Sequence, residues 1–200
     1  MKTYATAAFA ALAIFASSGA NAEPVGNASA IIPNASQATQ GTRSDLRLRD
    51  NIIRNAELVT ADRGALEVTF NDGSKLTMGQ NSRLTVDEYV YAQGGASKQT
   101  VRYTKGLFRF LSGSIPKENV KIDTPTVTIG IRGTILRTFL DGDGSGATSV
   151  EYGPNGEEYE VVLTSKGSGK TVVLKSGQKI SFDNQGVFEG VVDGQVEGCQ

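Results

Sequence analysis

Short runs of alternating apolar and polar residues recur along most of this chain. They include Leu66-Val68-Phe70, Leu76-Met78, Leu84-Val86, Val101-Tyr103, Phe108-Phe110, Val120-Ile122, Val127-Ile129-Ile131, Val161-Leu163, Val172-Leu174 and Ile180-Phe182. A period of two is the mark of a half-buried β-strand, because successive side chains point to opposite faces. Turn signals separate the runs: Asp72-Gly73, Gly94-Gly95, Asp141-Gly142, Asn155-Gly156, Gly167-Ser168-Gly169, Ser176-Gly177 and Asn184 to Gly186. Asn71-Asp72-Gly73 and Asn155-Gly156 predict hairpins with type I′ turns, since these residue types tolerate positive φ. The pattern predicts an all-β single domain of many short strands, built as a β-roll, a β-solenoid-like stack or a small sandwich. No long helix is expected beyond the N-terminus.

Residues 1–22 read as a secretory signal peptide, with a cation at Lys2, an apolar run from Ala8 to Phe15, and Ala20-Asn21-Ala22 as the small-x-small cleavage site. The mature chain is expected to begin at Glu23, in the periplasm or outside the cell, with no stable membrane insertion. The apolar run is far shorter than the roughly 20 residues a spanning helix needs. Residues 23–44, rich in Ala, Asn, Ser, Gln and Thr with prolines at 24 and 33, predict a flexible spacer. The β domain is placed at 45–140, and 141–200 is expected to pack on the same core as a C-terminal β extension.

The composition narrows the chemistry. The chain has no histidine and a single cysteine, Cys199, which removes Ser-His-Asp triads, Cys/His zinc sites and intramolecular disulfides. Removing the signal peptide takes away Lys2 and no acid, so the formal charge passes from -1 to -2. That balance gives no footprint for nucleic acid. Arg43, Arg47, Arg49 and Arg54 are interspersed with Asp45 and Asp50, a mixed-sign surface. The adjacent carboxylates Asp87-Glu88 and Glu157-Glu158 cannot flank one substrate bond if they lie on strands. No enzyme and no cofactor is expected.

Asp141, Asp143 and Ser145 imitate the first half of a calcium loop, but position twelve is Tyr152 and a strand follows, so a glycine-rich turn is the better reading. Lys166 to Thr171 lacks the leading glycine of a phosphate loop, having Thr164 in its place, and reads as a hairpin loop. Tyr89, Tyr91 and Tyr103 with Phe108 and Phe110 fit either core packing or an aromatic groove for a sugar or peptide.

The stretch Thr124 to Thr134 holds the most specific pattern. Val127, Ile129 and Ile131 alternate with Thr126, Thr128 and Gly130, and the rhythm breaks at Arg132-Gly133-Thr134. Gly133 takes the interior register, which predicts a bulge or a close backbone approach. Arg132 has two readings: a guanidinium tied to loop carbonyls or to a carboxylate such as Asp123 or Asp72, or an exposed anchor for a partner.

Thr124-Pro125 with Gly130-Ile131-Arg132-Gly133-Thr134, together with Phe70 to Leu76 (including Asp72-Gly73-Ser74), Asn81-Ser82-Arg83-Leu84 and Lys105 to Phe110, resembles the periplasmic FecR-type domain of iron-dicitrate-type signalling regulators. The resemblance implies an all-β domain, and it marks Asp72, Gly73, Ser74, Thr124, Pro125, Gly130, Arg132, Gly133 and Thr134 as motif residues with a structural or partner-binding role. Such regulators carry a cytoplasmic sigma-binding segment and one membrane helix, whereas this N-terminus reads as a cleavable export signal. The expectation is a non-enzymatic periplasmic binding or signalling module that engages another envelope protein. The alternatives are a structural or adhesin-like envelope β-protein, or a carbohydrate-binding module using the tyrosines.

Overall fold

A computed structural model of the chain describes residues 23–92, 97–133 and 135–198. The expected signal peptide with Ala20 and Ala22, the Gly94-Gly95 turn, Thr134 and Cys199 lie outside the described residues. The strands are β1 (Pro24–Ile32), β2 (Ala35–Thr39), β3 (Thr42–Asp45), β4 (Asn51–Ile53), β5 (Glu57–Thr60), β6 (Ala65–Phe70), β7 (Lys75–Met78), β8 (Arg83–Val90) and β9 (Lys98–Leu111). They continue with β10 (Val120–Asp123), β11 (Val127–Ile131), β12 (Ile135–Leu140), β13 (Gly146–Val150), β14 (Glu160–Ser165), β15 (Thr171–Lys175), β16 (Gln178–Phe182) and β17 (Val192–Asp193). The only helical element among the described residues is a 3-10 turn at Lys117–Asn119.

All these strands are joined in one hydrogen-bonded sheet that doubles over on itself. One layer runs β4-β1-β6-β7-β9-β12-β13-β16-β17, the other β3-β2-β5-β8-β9-β10-β11-β14-β15. The chain visits the layers alternately and advances along both, a roll-like path in which every strand pair among the described residues but β9–β10 is antiparallel. β9 belongs to both layers: Lys98 to Lys105 pairs with β8, and Gly106 to Leu111 pairs with β12. The crossing falls at Gly106, where φ is +111° and a Cβ would lie 2.2 Å from Ser82 Oγ. Ser82 is fully buried there and its hydroxyl accepts the Leu107 N–H at 3.1 Å. Two stretches quoted for the resemblance, Asn81 to Leu84 and Lys105 to Phe110, therefore meet at the fold's crossover.

The interior is a single apolar cluster between the layers. Alternation places Leu66, Val68 and Phe70 inward on β6, and Val127, Ile129 and Ile131 inward on β11. Phe70 of one layer stacks on Tyr89 of the other at 5.6 Å, and Tyr103 stacks on Phe108 at 4.0 Å across the crossover. These aromatic rings are core: Tyr89 is 3% exposed and Tyr103, Phe108 and Phe110 are 0% exposed. The aromatic groove, and with it the tyrosine-based carbohydrate platform, is thereby corrected; of that set only Tyr91 reaches the surface.

The flexible spacer is also corrected. Residues 24 to 45 form β1, β2 and β3, with β1 paired along β6 from Gly26↔Phe70 to Ile32↔Ala65. Its apolar content is low, but the small side chains Val25, Ala28 and Ala35 are buried in the core cluster. Tertiary pairing overrides a composition that carries little intrinsic strand signal. At Gly26 a Cβ would lie 2.4 Å from the Thr69 carbonyl, so close approach accounts for that glycine.

The hairpins differ from type I′. Gly73 and Gly156 have φ of +82° and +85°, whereas Asp72 and Asn155 are not among the positive-φ residues. Gly73 N–H bonds to Phe70 O, and Phe70 N–H bonds to Ser74 O, both at 2.9 Å, which defines a three-residue loop ending in an αL glycine. The same closure recurs at Asp141 to Ser145, Gly153 to Glu157 and Asp183 to Val187, each with the glycine fourth.

Candidate functional site

Asp72-Gly73-Ser74 is the first motif, and its carboxylate is turned inward. Asp72 is 5% exposed, and its Oδ1 accepts the Ser74 hydroxyl at 2.6 Å, the Ser74 N–H at 3.2 Å and the Tyr89 hydroxyl at 3.3 Å. The Asp72 N–H donates to Tyr89 Oη at 2.8 Å, and Gln99 approaches Ser74 Oγ at 3.3 Å. The following loop is clamped over this turn: Ser114 N–H and Oγ both donate to the Asp72 carbonyl at 2.9 Å. A Cβ on Gly113 would lie 2.3 Å from Ser74 N, so only glycine fits beneath. Burial, then the Asp72 charge, push the Tyr89 phenol well above its ordinary value. Burial also lowers Lys117, against the opposing pull of Asp72. A buried carboxylate with this many donors joins β6, β7, β8 and the 112–119 loop, and it presents nothing to solvent.

Asp143 repeats that local geometry at the surface. Its Oδ1 accepts the Ser145 N–H at 2.9 Å and the Ser145 hydroxyl at 2.7 Å, bonds that hold the carboxyl below its ordinary range. The calcium-like residues Asp141, Asp143 and Ser145 are thus the β12–β13 hairpin turn, with the Asp143 carboxylate engaged by its own loop. Among the described residues no group of three or more metal-ligating side chains converges. Asp87 pairs with Arg102 at 2.8 Å and Glu88 with Lys98 at 2.9 Å, while Glu157 accepts from Asn155, so neither acidic doublet forms a paired site.

Thr124-Pro125 makes the β10–β11 turn. The Thr124 hydroxyl accepts the Val127 N–H at 2.9 Å and donates back to Val127 O at 2.8 Å, leaving Thr124 1% exposed. Two neighbouring loops fasten onto this turn. The Thr126 hydroxyl donates to Gly144 O at 2.7 Å, the Lys166 N–H donates to Thr126 O at 2.9 Å, and the Lys166 ammonium reaches Thr124 O and Asp123. The Lys166 to Thr171 stretch is therefore the β14–β15 loop, and its lysine is structural.

β11 then runs straight to Ile131, with no register shift against β14. Arg132 and Gly133 form the corner that carries the chain from one layer to the other, and Gly133 has φ of +103°. The expected bulge is corrected to a corner. The pairing Ile131↔Val161 places Arg132 opposite Glu160, and Arg132 Nη1 lies 3.1 Å from Glu160 Oε1, the Arg132 side chain being 63% exposed. Arg132 is held by neither Asp72 nor Asp123: the first is occupied by Ser74 and Tyr89, the second by Lys166 and Thr128. Beside it on the outer face, register aligns Lys121, Gly130, Val162 and Val173 in one row. Gly130 has an ordinary φ, and a Cβ there would meet only Val162 O at 3.8 Å.

One cluster escaped sequence reasoning. Arg109 and Arg137 are paired directly across β9 and β12, and both converge on Glu151. Arg109 is bidentate, at 3.0 and 2.9 Å. Burial raises the Glu151 carboxyl, but the two guanidiniums more than reverse that and leave it below its ordinary value. Its sequence signal was only the parity of two arginines on strands whose pairing the sequence does not reveal.

Residues 56–153 match the family described as FecR protein. No curated protein matches the chain. Two crystal structures, at 1.65 and 2.50 Å, of a protein from Parabacteroides distasonis provisionally assigned as an anti-sigma factor are similar in fold, with TM-scores of 0.52 and 0.51. Each is 16% identical, over 70% of this chain and 60% of that one, so this chain spans about three-fifths of that protein's length. The matched segment takes in β5 to β13, the Asp72 turn, the Thr124 turn and the Arg132 corner, and over residues 56–153 the chain carries a FecR domain.

Proposed function

We propose that this chain is a non-enzymatic exported FecR-domain protein, a periplasmic signalling module that engages another envelope protein through the outer face around Gly130 and Arg132. The observation that carries the reading is Arg132 itself. It is a motif cation whose side chain is 63% exposed and pairs with one partly exposed carboxylate, an arrangement worth about 0–1 kcal/mol to the fold. Gly130 beside it fills no tight space and needs no unusual φ, yet a strand glycine costs roughly 0.5–1 kcal/mol. A bare strip of backbone flanked by Lys121, Val162 and Val173 suits close approach by a partner, with Arg132 supplying a planar fork for a carboxylate.

Export rests on Lys2, the Ala8 to Phe15 run and Ala20-Asn21-Ala22. Among the described residues no helix is long and apolar enough to cross a membrane. Site-specific photo-crosslinking in intact cells, with the photoreactive residue at Lys121, tests the proposal. One defined envelope protein is expected as the adduct, and deletion of the chain is expected to change transcription of a receptor operon. Crosslinks only between copies of the chain, with no transcriptional effect, would favour the structural or adhesin-like role.

A further inference from the structure

A cleft of about 770 Å³ lies on the outer face of the other layer, away from Arg132. Its volume is in the range of sites that hold a sizeable ligand segment. Register builds its floor: Ile32 pairs with Ala65 at one end, and Leu107 pairs with Phe139 at the other. Ile32 and Phe139 are 56% and 42% exposed, an uncovered apolar strip on a face that is otherwise polar. Arg63, Lys105 and Asp141 are among the residues that line it. Lys105 has no ion pair among the described residues, and Arg63 meets only its neighbour Asp62, both highly exposed, at 3.4 Å.

The chain's own Gly194–Gly198 segment already lies across this face and reaches the cleft at Glu197 and Gly198. The Val196 N–H donates to the buried Ser149 hydroxyl at 2.9 Å, and the Gln195 amide donates to Val150 O at 3.0 Å. Val196 is 6% exposed, and Glu197 and Gly198 line the cleft, with Gly198 close over Leu107. The sequence leading in is Glu189-Gly-Val-Val-Asp193-Gly-Gln-Val-Glu197-Gly198, an extended stretch of valines, glycines and acids. This face therefore seats such a segment in cis as far as Gly198, the last described residue. Beyond the part that Gly198 meets at Leu107, the lining includes Ala65 and Ile32, with Arg63 and Lys105 also bordering the cleft.

We propose that the cleft is a seat for an extended, acidic and aliphatic peptide segment of a partner protein, which competes with the chain's own Gly194–Gly198 segment. An aliphatic side chain enters between Leu107 and Phe139, and a carboxylate meets Lys105 and Arg63. Occupation in cis lowers the apparent affinity for a segment in trans by the fraction of time the seat is filled.

The test measures fluorescence anisotropy of a labelled peptide with the sequence of residues 189–198, titrated with the full-length chain. Val196→Asp unseats the cis segment and is expected to tighten binding about tenfold or more; Gln195→Ala, which removes from the chain but not from the peptide the amide that donates to Val150 O, is expected to act in the same direction without adding a charge. Adding Lys105→Glu or Phe139→Ser to either variant is expected to reverse the gain. Replacing the acids of the peptide by lysine is expected to abolish binding. The proposal is overturned if both loosened variants are folded and show no saturable binding. It is equally overturned if binding survives Lys105→Glu and Phe139→Ser, or if the lysine peptide binds as well.

Discussion

Arg132 lies opposite Glu160 on the outer face of the sheet, 3.1 Å from its carboxylate, one residue beyond the last inward side chain of β11. An exposed pair of this kind contributes little, because solvent screens it and two long side chains lose freedom in forming it. Arg132→Ala is therefore expected to change stability by less than about 1 kcal/mol in urea unfolding. A larger loss would make the arginine a structural residue after all.

Gly130 and Gly133 separate two uses of glycine three residues apart. Gly133 has φ of +103°, so Gly133→Ala forces a β-carbon into a conformation that costs about 1–3 kcal/mol. Gly130 is regular and open, and Gly130→Ala is expected to leave stability unchanged or raise it by up to about 1 kcal/mol. Thermal melts of the two variants check the contrast; equal losses would show that Gly130 serves the fold.

Asp72 and Asp143 make the same serine-capped turn, one buried and one at the surface. Asp72→Ala leaves the Ser74 hydroxyl and Tyr89 without their acceptor inside the structure, and a loss of about 2–4 kcal/mol is expected. Asp143→Ala is expected to leave the urea midpoint where it is, because water replaces the bonds. Calorimetry of both variants with millimolar calcium adds a check on the turn reading: no heat is expected from either or from the parent chain.

Glu151 couples stability to acid. Its folded-state pKa lies below the ordinary glutamate value of 4.5, so its contribution is present above that value and fades as pH falls through the depressed folded-state value. Glu151→Gln is expected to destabilise the chain at pH 7, where Arg109 and Arg137 face each other without their counter-charge, and to narrow its gap from the parent chain below pH 4.5. A gap that widens toward acid would reverse the sign of the argument.

The sequence was legible where strands alternate cleanly. Leu66 to Phe70 and Val127 to Ile131 announced their inward faces, and the all-β class followed from them. β1 to β3 were not legible, because Ala28, Ala35 and Gly26 are strand residues only by virtue of the edge they complete. Turn type was misread at Asp72 because Asp-Gly serves both two-residue loops and three-residue loops with a terminal αL glycine. The Arg132 partner was missed for a related reason: which carboxylate stands opposite depends on β11 pairing with β14, some thirty residues away in register. Arg109, Arg137 and Glu151 come together only through the same kind of long-range pairing.

The most direct test is photo-crosslinking in intact cells from position 121, in the parent chain and in Arg132→Ala and Gly130→Leu variants whose melts show them folded. The account predicts one defined envelope adduct in the parent chain, sharply reduced in both variants, and no such adduct from a control position at Thr69 on the other layer. An adduct of equal intensity in all three, or none in any, would contradict it.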